Sequence, residues 1–190
     1  MTIASGDSPI LQSSRHAWIA LGSNAQGAWG HPQACITKAL ETLAENGVAV
    51  RAVSPIYITA AIGGGRQPAF LNAVACVNPG MPAASLLRLL KSIERAAGRR
   101  LGRHWGPRPL DLDVLGTGSG FRRSAPRTRI PGRIIIPHPH LHQRAFVIVP
   151  LAHLAPHWWH PFLHRTARQL LRSTAISRQA RSVRRQPGTL

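Results

Sequence analysis

The spacing of apolar residues changes between a strand period and a helical period several times along the chain. Residues 17–21 form an apolar run that ends in a turn signal at Gly22-Ser-Asn24, which predicts a buried strand. Residues 32–46 carry apolar side chains at helical spacing and stop at Asn46-Gly47, which predicts a helix. Residues 48–57 and 70–77 are rich in β-branched and apolar residues and predict two further strands.

The helical period returns in the middle of the chain. Leu86, Leu90 and Ile93 share one face of a predicted helix that opens near Met81-Pro82 and ends at Gly98. A strand at residues 110–115 follows. The order β-α-β-β-α-β predicts an α+β protein with a ferredoxin-like core, in which an antiparallel sheet carries helices on its faces.

The segments beyond this core give weaker signals. A short strand is predicted at 134–136, an apolar stretch at 146–154 and a closing helix at 166–172. Residues 1–15 and 175–190 have no apolar period, so we expect a disordered leader and a disordered basic tail. Residues 16–174 are then expected to form one domain, which suits a chain of 190 residues.

The charge of the chain is strongly positive. There are 24 basic residues against 6 acidic ones, giving a formal net charge of +18. Such a charge favours anionic partners but says nothing about the fold. Two interpretations remain open, a functional surface and a drift in composition.

Cysteine usage and hydropathy bear on the compartment. Cys35 and Cys76 each lie among apolar neighbours, which predicts two buried free thiols in a reducing cytosol. No apolar run approaches the length that spans a bilayer, and the first residues lack the apolar core of a signal peptide. We therefore expect a soluble cytoplasmic protein.

Asp111 and Asp113 stand out because acidic residues are so scarce. A period of two places both carboxylates on one face of the predicted strand and Leu110, Leu112 and Val114 on the other. Adjacent carboxylates repel each other and are costly to desolvate unless a cation neutralises them. The pair therefore predicts a magnesium site, and pairing with arginines alone is the alternative.

An arginine-rich loop precedes this strand. Residues 99–108 include four arginines, whose guanidinium groups can bind phosphate oxygens in a forked geometry. Carboxylates for a hard metal ion beside arginines for phosphates predict a phosphoryl-transfer site. The chain contains no G-x-x-x-x-G-K-S/T motif, so it is not a P-loop enzyme.

Several short motifs carry a resemblance to a known family. They are, in order, Leu21-Gly-Ser-Asn24, Phe70-Leu-Asn72, Glu94 with Gly98-Arg99, Trp105-Gly-Pro-Arg-Pro-Leu-Asp-Leu-Asp113, Pro137-His138 and Arg144-Ala-Phe146. Their order and approximate spacing resemble those of 6-hydroxymethyl-7,8-dihydropterin pyrophosphokinase, a folate-biosynthesis family. The resemblance runs from about residue 17 to about residue 171 and makes residues 16–174 a pterin pyrophosphokinase domain.

The resemblance implies an activity and its small-molecule partners. It implies transfer of pyrophosphate from ATP to the hydroxymethyl oxygen of a reduced pterin, which gives the pterin diphosphate and AMP. ATP would be the co-substrate and two Mg²⁺ ions the cofactors. We expect a monomer without a membrane or specific nucleic-acid partner.

The resemblance also assigns catalytic and nucleotide-binding residues. Asp111 and Asp113 look like the ligands of the two magnesium ions, and Arg99 and Arg108 look like the arginines that hold the phosphates. His138 resembles a histidine that contacts the nucleotide phosphates. The other residues similar to nucleotide-site positions are Glu94, Ile135, Pro137 and Arg144.

The pterin site is implied in the same way. Phe70 and Phe146 resemble the aromatic residues that sandwich the ring, and Asn72 resembles the asparagine that recognises its edge. A flat heteroaromatic ligand suits two rings and an amide that both donates and accepts. The remaining residues implied for this pocket are Thr59, Ala60, Ile62 and, on a closing loop, Trp105.

Some features depart from the family pattern or suggest other functions. Leu101 and His104 fall where many relatives carry arginines, and residues 116–133 form a longer, more basic segment than usual. The alternating His138, His140 and His142 could bind a metal. The rival functions are a nucleic-acid-binding module and a homologue that binds nucleotide without turnover; no RRM, zinc-finger or helix-turn-helix pattern supports the former.

Overall fold

The fold is taken from a computed structural model, which describes residues 16–61, 67–100, 106–117, 128–130, 134–136 and 140–187. The core elements are β1 (Ala17–Ser23), α1 (Pro32–Glu45), β2 (Ala49–Val53), β3 (Tyr57–Thr59), β4 (Phe70–Asn78), α2 (Ala83–Ala96) and β5 (Asp111–Thr117). The later elements are β6 (Thr128–Ile130), β7 (Ile134–Ile136), α3 (Ala145–Leu154), β8 (Trp159–His160), β9 (Arg165–Thr166), α4 (Ala167–Leu171), α5 (Thr174–Ala180) and β10 (Arg184–Arg185).

The main sheet is antiparallel throughout its described pairs. Its strands lie in the order β10-β3-β4-β1-β5, and β2 also pairs with β4. Strand β1 is central, since β4 lies on one side and β5 on the other. The predicted α+β fold, an antiparallel sheet with helices on its faces, is confirmed.

The period of two divides each central strand between two cores. Leu21, Ala73 and Leu112 point toward α1 and α2 and are buried in the first core. Trp18, Val74 and Leu115 point to the opposite face and pack with α3 in the second core, as does α5 through Ile176. Residues 146–154, an apolar stretch in the sequence, are therefore a buried helix.

The ends of the two early helices follow from local chemistry. Pro32 occupies the first turn of α1, where its missing N–H costs nothing. Gly98 follows α2 with a φ of 94°, a conformation that glycine adopts without steric cost. The start of α1 and the end of α2 each lie within two residues of the predicted positions.

One predicted strand is divided in two. Residues 48–57 hold β2 and the first residue of β3, with a break at Ser54-Pro55 because proline cannot donate to a strand ladder. The Ser54 hydroxyl accepts the Val74 N–H at 3.0 Å across this break, which keeps the segment attached to β4.

The expectation of a disordered tail is wrong for residues 175–187. Ile176 on α5 is 1% exposed, β10 pairs with β3, and the Gln186 N–H donates to the Ile56 carbonyl at 2.8 Å. The segment gains its order from main-chain pairing on an open sheet edge and from one apolar anchor, neither of which produces an amphipathic period. The predicted leader at residues 1–15 lies outside the described residues.

Two further expectations can be compared with the structure. Cys35 and Cys76 are both free and fully buried, as predicted, and burial raises the pKa of the Cys76 thiol to about 12. Among the described residues, no helix is both long and apolar enough to cross a membrane.

Candidate functional site

A cavity of about 830 Å³ opens on the face of the sheet that also carries α3. Its floor comes from β1, β4 and β5, and its walls come from β3, the start of α3 and the segment after α5. Of the predicted residues, the following line it: Thr59, Ala60, Phe70, Asn72, Arg108, Asp111, Asp113, Arg144 and Phe146. The residues predicted for the metal and phosphates and those predicted for the pterin therefore line one cavity.

Strand register aligns the two ends of this cavity. Asn72 on β4 lies opposite Gly22 on β1, and Gly22 lies opposite Asp111 on β5. Asp113 lies opposite Ala20, two residues back along β1. An added Cβ at Gly22 would lie 3.5 Å from Asn72 Oδ1 and 3.9 Å from Asp111 Cβ, so glycine leaves the floor between them open.

Asp111 is the most highly paired acid of the cavity. Arg99 Nη1 donates to Asp111 Oδ1, and Arg108 Nη1 donates to Oδ2 at 2.9 Å. Asp113 has a looser partner, since Arg144 Nη1 lies 3.8 Å from its Oδ2. The two aspartate side chains keep 26% and 34% of their surface exposed, so their remaining lone pairs can reach a ligand.

Glu94 lies behind this pair and, among the described residues, is not part of the cavity wall. Its carboxylate is 2% exposed and accepts the Leu112 N–H at 2.8 Å, while Arg99 Nη1 lies 2.6 Å away. Lys91 Nζ also donates to it at 2.8 Å. Burial raises the pKa of Glu94 although both cations oppose the shift. Glu94 thus holds Arg99 against Asp111.

Asn24 fixes the backbone of Arg108. Its side-chain oxygen accepts the Arg108 N–H at 2.7 Å, and its own N–H donates to the Arg108 carbonyl at 3.0 Å. Its amide nitrogen donates to the Pro68 carbonyl at 3.2 Å. Because Asn24 is 1% exposed, these bonds replace solvent for every polar atom involved. Asn24 joins the end of β1 to both the arginine segment and the approach to Phe70.

The opposite end of the cavity is aromatic and amide-lined. Asn72 Nδ2 donates to the Thr59 hydroxyl at 2.9 Å, and both residues are buried. Phe70 and Phe146 are half-buried and line the same cavity from different elements. The Arg144 guanidinium lies 5.7 Å from the centre of the Phe146 ring, within the range of a cation–π contact. Arg144 therefore joins the aromatic end to Asp113.

The donor set fits magnesium with an anionic co-ligand. Two carboxylates on one strand face are hard oxygen donors, and Mg²⁺ commonly binds through one or two carboxylates plus substrate phosphates. Within the described part of the chain, no three His, Cys, Asp or Glu side chains gather into a metal site. Phosphate oxygens and water would complete the coordination.

Several predicted residues lie outside the described part of the chain. These are Ile62, Trp105, Pro137 and His138, together with the departures at Leu101 and His104. The backbone of Ile135 belongs to β7, which pairs with β6. Of the alternating histidines, His140 lines the cavity and His142 contacts the ring of His160.

The structure adds cavity residues that sequence analysis did not assign. They are Gly22, Gln67, Gln143, Gln179, Ser182 and Val183. Gly22 stands in the Leu21-Gly-Ser-Asn24 motif, which predicts a turn and contributes to the resemblance but assigns Gly22 no place in the cavity. Gln179, Ser182 and Val183 fall in the segment expected to be disordered, so no local pattern marked them.

A family model describes this chain over most of its length. The model for 7,8-dihydro-6-hydroxymethylpterin-pyrophosphokinase (HPPK) matches residues 18–156, a range that runs from β1 to the end of α3. The chain belongs to the HPPK family. The predicted resemblance is thereby confirmed.

Individual HPPK relatives agree with this assignment. The 2-amino-4-hydroxy-6-hydroxymethyldihydropteridine pyrophosphokinase of Pseudomonas aeruginosa is 39% identical over 142 residues, which cover 75% of this chain and 82% of the relative. The enzyme of the same name from Bacillus subtilis is 36% identical over 139 residues, covering 73% and 77%. The mitochondrial folate synthesis bifunctional protein of Arabidopsis thaliana is 39% identical over 76% of this chain, which spans 24% of that protein.

Solved structures support the HPPK fold. The wild-type HPPK-DHPS of Plasmodium falciparum with pteroate has a TM-score of 0.61 at 14% sequence identity. The match covers 90% of this chain and 45% of that one, so this chain spans less than half of the bifunctional protein. At this identity the likeness concerns the fold alone.

Proposed function

We propose that this HPPK-family chain transfers the pyrophosphoryl group of ATP to 6-hydroxymethyl-7,8-dihydropterin in folate biosynthesis. The hydroxymethyl oxygen forms a bond to the β-phosphorus, the bond from that phosphorus to the oxygen bridging the α-phosphorus breaks, and AMP leaves. The proton of the hydroxyl passes to solvent. The observation that carries the proposal is the row Asn72, Gly22 and Asp111, which places an aromatic, amide-lined pocket and a carboxylate pair in one cavity.

The acidic end of the cavity is proposed to bind the triphosphate. Asp111 and Asp113 would hold two Mg²⁺ ions, which supply charge neutralisation for the transferring group when bound. Arg99 and Arg108 keep guanidinium N–H groups beyond those that contact Asp111, and these suit phosphate oxygens. Arg144 is placed to add positive charge beside Asp113. Ile135, Pro137 and His138 remain proposed nucleotide contacts.

The aromatic end is proposed to bind the pterin. Phe70 and Phe146 offer faces to a flat ring, and the buried Asn72 offers its amide oxygen as an acceptor to the edge of that ring. Thr59 fixes the Asn72 amide by accepting from its nitrogen, which leaves the amide oxygen for the ligand. Ile62 and Trp105 are proposed to complete this pocket.

Transfer through this geometry depends on positioning more than on a strong base. In-line displacement at phosphorus requires aligned reactants and fixed positive charge. Arg99, Arg108 and Arg144 supply that charge within the described cavity region. We further propose that the protein acts in the cytoplasm as a monomer, consistent with its two buried free thiols.

Asparagine substitutions test the proposed metal ligands. Asp111→Asn and Asp113→Asn should each lower turnover by at least about a hundredfold, because metal stabilisation of developing charge is worth several kcal/mol. AMP release from ATP and the reduced pterin is the measurement. Glu41→Gln is the matched control, since Glu41 is exposed on α1 and pairs only loosely with Lys38 at 3.2 Å.

The outcomes separate the rival functions. Near-normal turnover in both aspartate variants would contradict the metal assignment. A wild-type chain that binds an ATP analogue but releases no AMP when ATP, Mg²⁺ and the reduced pterin are all present would instead identify a nucleotide-binding homologue without turnover.

A further inference from the structure

The C-terminal segment 174–187 forms one wall of the cavity. Gln179, Ser182 and Val183 line it beside Phe146, and Val183 also packs against the second core. The family model ends at residue 156, so this wall lies beyond the region by which the chain is assigned to HPPK. The effect of this segment on the cavity follows from the contacts that it makes in this chain.

Gln179 contacts the start of the helix that carries Phe146. The Ala145 N–H, the first of α3, donates to Gln179 Oε1 at 3.4 Å. The preceding residue, Arg144, makes no side-chain capping bond within the described part of the chain. Since the first N–H groups of a helix have no partner within it, Gln179 supplies an acceptor that the helix's own sequence lacks.

The first turn of α3 lacks one of the hydrogen bonds of a regular helix. Pro150 lies inside α3 and has no N–H to donate to the carbonyl of Phe146 four residues earlier. The turn that bears Phe146 therefore lacks one of the bonds that would fix it to the rest of the helix. Val147 and Ile148 still donate to the Arg144 carbonyl within the helix start, and the bond from Ala145 to Gln179 adds a contact from outside α3.

The other end of the segment holds the opposite wall of the pocket. Arg184 and Arg185 of β10 pair with Ile58 and Tyr57 of β3. Strand β3 continues into Thr59, whose hydroxyl accepts from Asn72. Residues 174–187 thus connect the element that carries Phe146 with the element that fixes Asn72.

We propose that Gln179 is a positioning residue for pterin binding, because it caps α3 and thereby orients Phe146. The role rests on the proposed function, in which Phe146 covers the pterin ring. Gln179 acts from the aromatic end of the cavity, and its described hydrogen bond is to α3 rather than to Asp111 or the arginines that bind it. Its loss should therefore weaken pterin binding without weakening nucleotide binding.

Two substitutions isolate the capping bond. Gln179→Met keeps the length of the side chain and removes the acceptor, whereas Gln179→Glu keeps an acceptor and suits the positive end of a helix. Arg178→Ala is the control, because Arg178 is the neighbour of Gln179 on α5 and is exposed as Gln179 is, but does not line the described cavity. The affinities for the reduced pterin, with an inert ATP analogue and Mg²⁺ present, and for the analogue alone are measured by calorimetry on the full chain.

We expect Gln179→Met to raise the Kd for the pterin about threefold to tenfold, as loss of one hydrogen bond does. The Kd for the ATP analogue and the thermal midpoint should stay near wild type, and Gln179→Glu should restore pterin affinity. An unchanged pterin Kd in Gln179→Met would overturn the inference, as would equal weakening of both ligands with a lowered thermal midpoint. A wild-type chain that binds no pterin would overturn the proposed function itself.

Discussion

The side-chain amide of Asn72 has its nitrogen bound within the protein and its oxygen available to a ligand. Its amide nitrogen donates to Thr59 and its residue is 5% exposed, so the remaining polar atom faces the cavity rather than bulk water. A polar atom in such a place contributes to recognition because a ligand that fails to pair with it leaves it desolvated. Asn72 therefore determines which ring edges the pocket accepts.

Replacing Asn72 by alanine should cost pterin binding selectively. We expect Asn72→Ala to lose about 1–3 kcal/mol of pterin binding, because the polar edge of the ligand would be buried without a partner. Calorimetry with an inert ATP analogue present measures the loss. Asn78→Ala is the control on the same strand, since the Asn78 side chain bonds only weakly to the Gly80 N–H at 3.4 Å and lies outside the described cavity. Equal affinities in the two variants would argue against the role of Asn72.

Protonation of the buried His160 bears directly on stability. It is 4% exposed, and burial, with a smaller contribution from the charge of His142, lowers its pKa to about 4. Its Nδ1 lies 3.4 Å from the Phe162 N–H and 3.3 Å from the Leu163 N–H, which both require the nitrogen as an acceptor. The neutral imidazole is therefore the form that the fold accommodates.

The preference of the fold for neutral His160 should appear in the pH dependence of the free energy of unfolding. A folded-state pKa below the ordinary value of about 6.5 means that the unfolded chain binds the proton first, so stability is full above pH 6.5 and falls as the pH drops toward 4. The contribution is on the order of 3 kcal/mol. Denaturant unfolding between these pH values measures it, with His160→Gln expected to flatten the dependence. A dependence unchanged in His160→Gln would assign the loss to other groups.

Site residues that belong to a local sequence pattern could be predicted. The hydrogen bonds that connect residues far apart in the sequence could not. Asp111 and Asp113 follow from a period of two and from the scarcity of acids, and Phe70 and Asn72 follow from a short motif. Asn24 bonds to Arg108, and Glu94 to Leu112, over separations of 84 and 18 residues. No periodicity signals such a pair.

At the scale of elements, the helices α1, α2 and α4 and the strands β1, β4 and β5 followed from the sequence, whereas α5 and the edge strand β10 did not. The strand β10 has two residues and an exposed burial pattern, so nothing in its composition marks it. It forms because β3 leaves an edge unpaired and because α5 brings the chain back to it. A strand that forms by pairing with the free edge of a neighbouring strand needs no sequence pattern of its own.

The anchoring of α5 can be tested at one side chain. Ile176 is 1% exposed in the second core, so Ile176→Ala should lower the free energy of unfolding by about 2–5 kcal/mol through lost burial and the cavity left behind. Denaturant unfolding is the measurement. Arg178→Ala on the exposed face of the same helix should change it by no more than about 0.5 kcal/mol. If both variants unfold alike, α5 is not anchored as described.

At the scale of the whole molecule, the net charge of +18 should attract ATP more than the pterin. Opposite charge at a distance raises association with an anion, and salt screens it, since the Debye length falls from about 30 Å at 0.01 M to about 3 Å at 1 M ionic strength. The neutral pterin feels no such attraction. Composition thus bears on ligand choice even where it says nothing of the fold.

The two ligands should therefore respond differently to salt. We expect the Kd of the Mg²⁺-bound ATP analogue to rise severalfold over that range of ionic strength, and the Kd of the pterin, measured at saturating analogue, to remain nearly constant. Calorimetry in a salt series provides both values. Parallel changes for the two ligands would point to an effect of salt on the fold, and no change for either would show that the net charge is a matter of composition.

The row from Asn72 through Gly22 to Asp111 also limits the length of the molecule that can react. Neighbouring strands lie about 4.8 Å apart, so two steps across the sheet separate the ring-recognising amide from the metal-binding carboxylate by about 10 Å. Main-chain hydrogen bonds set that separation, and side-chain substitution cannot stretch it. We expect a pterin whose hydroxyl stands one methylene farther from the ring to bind yet react poorly, and comparing its Kd with its rate of AMP release would test this. Selectivity for substrate length is then set by the spacing of the main chain, which point mutations change little.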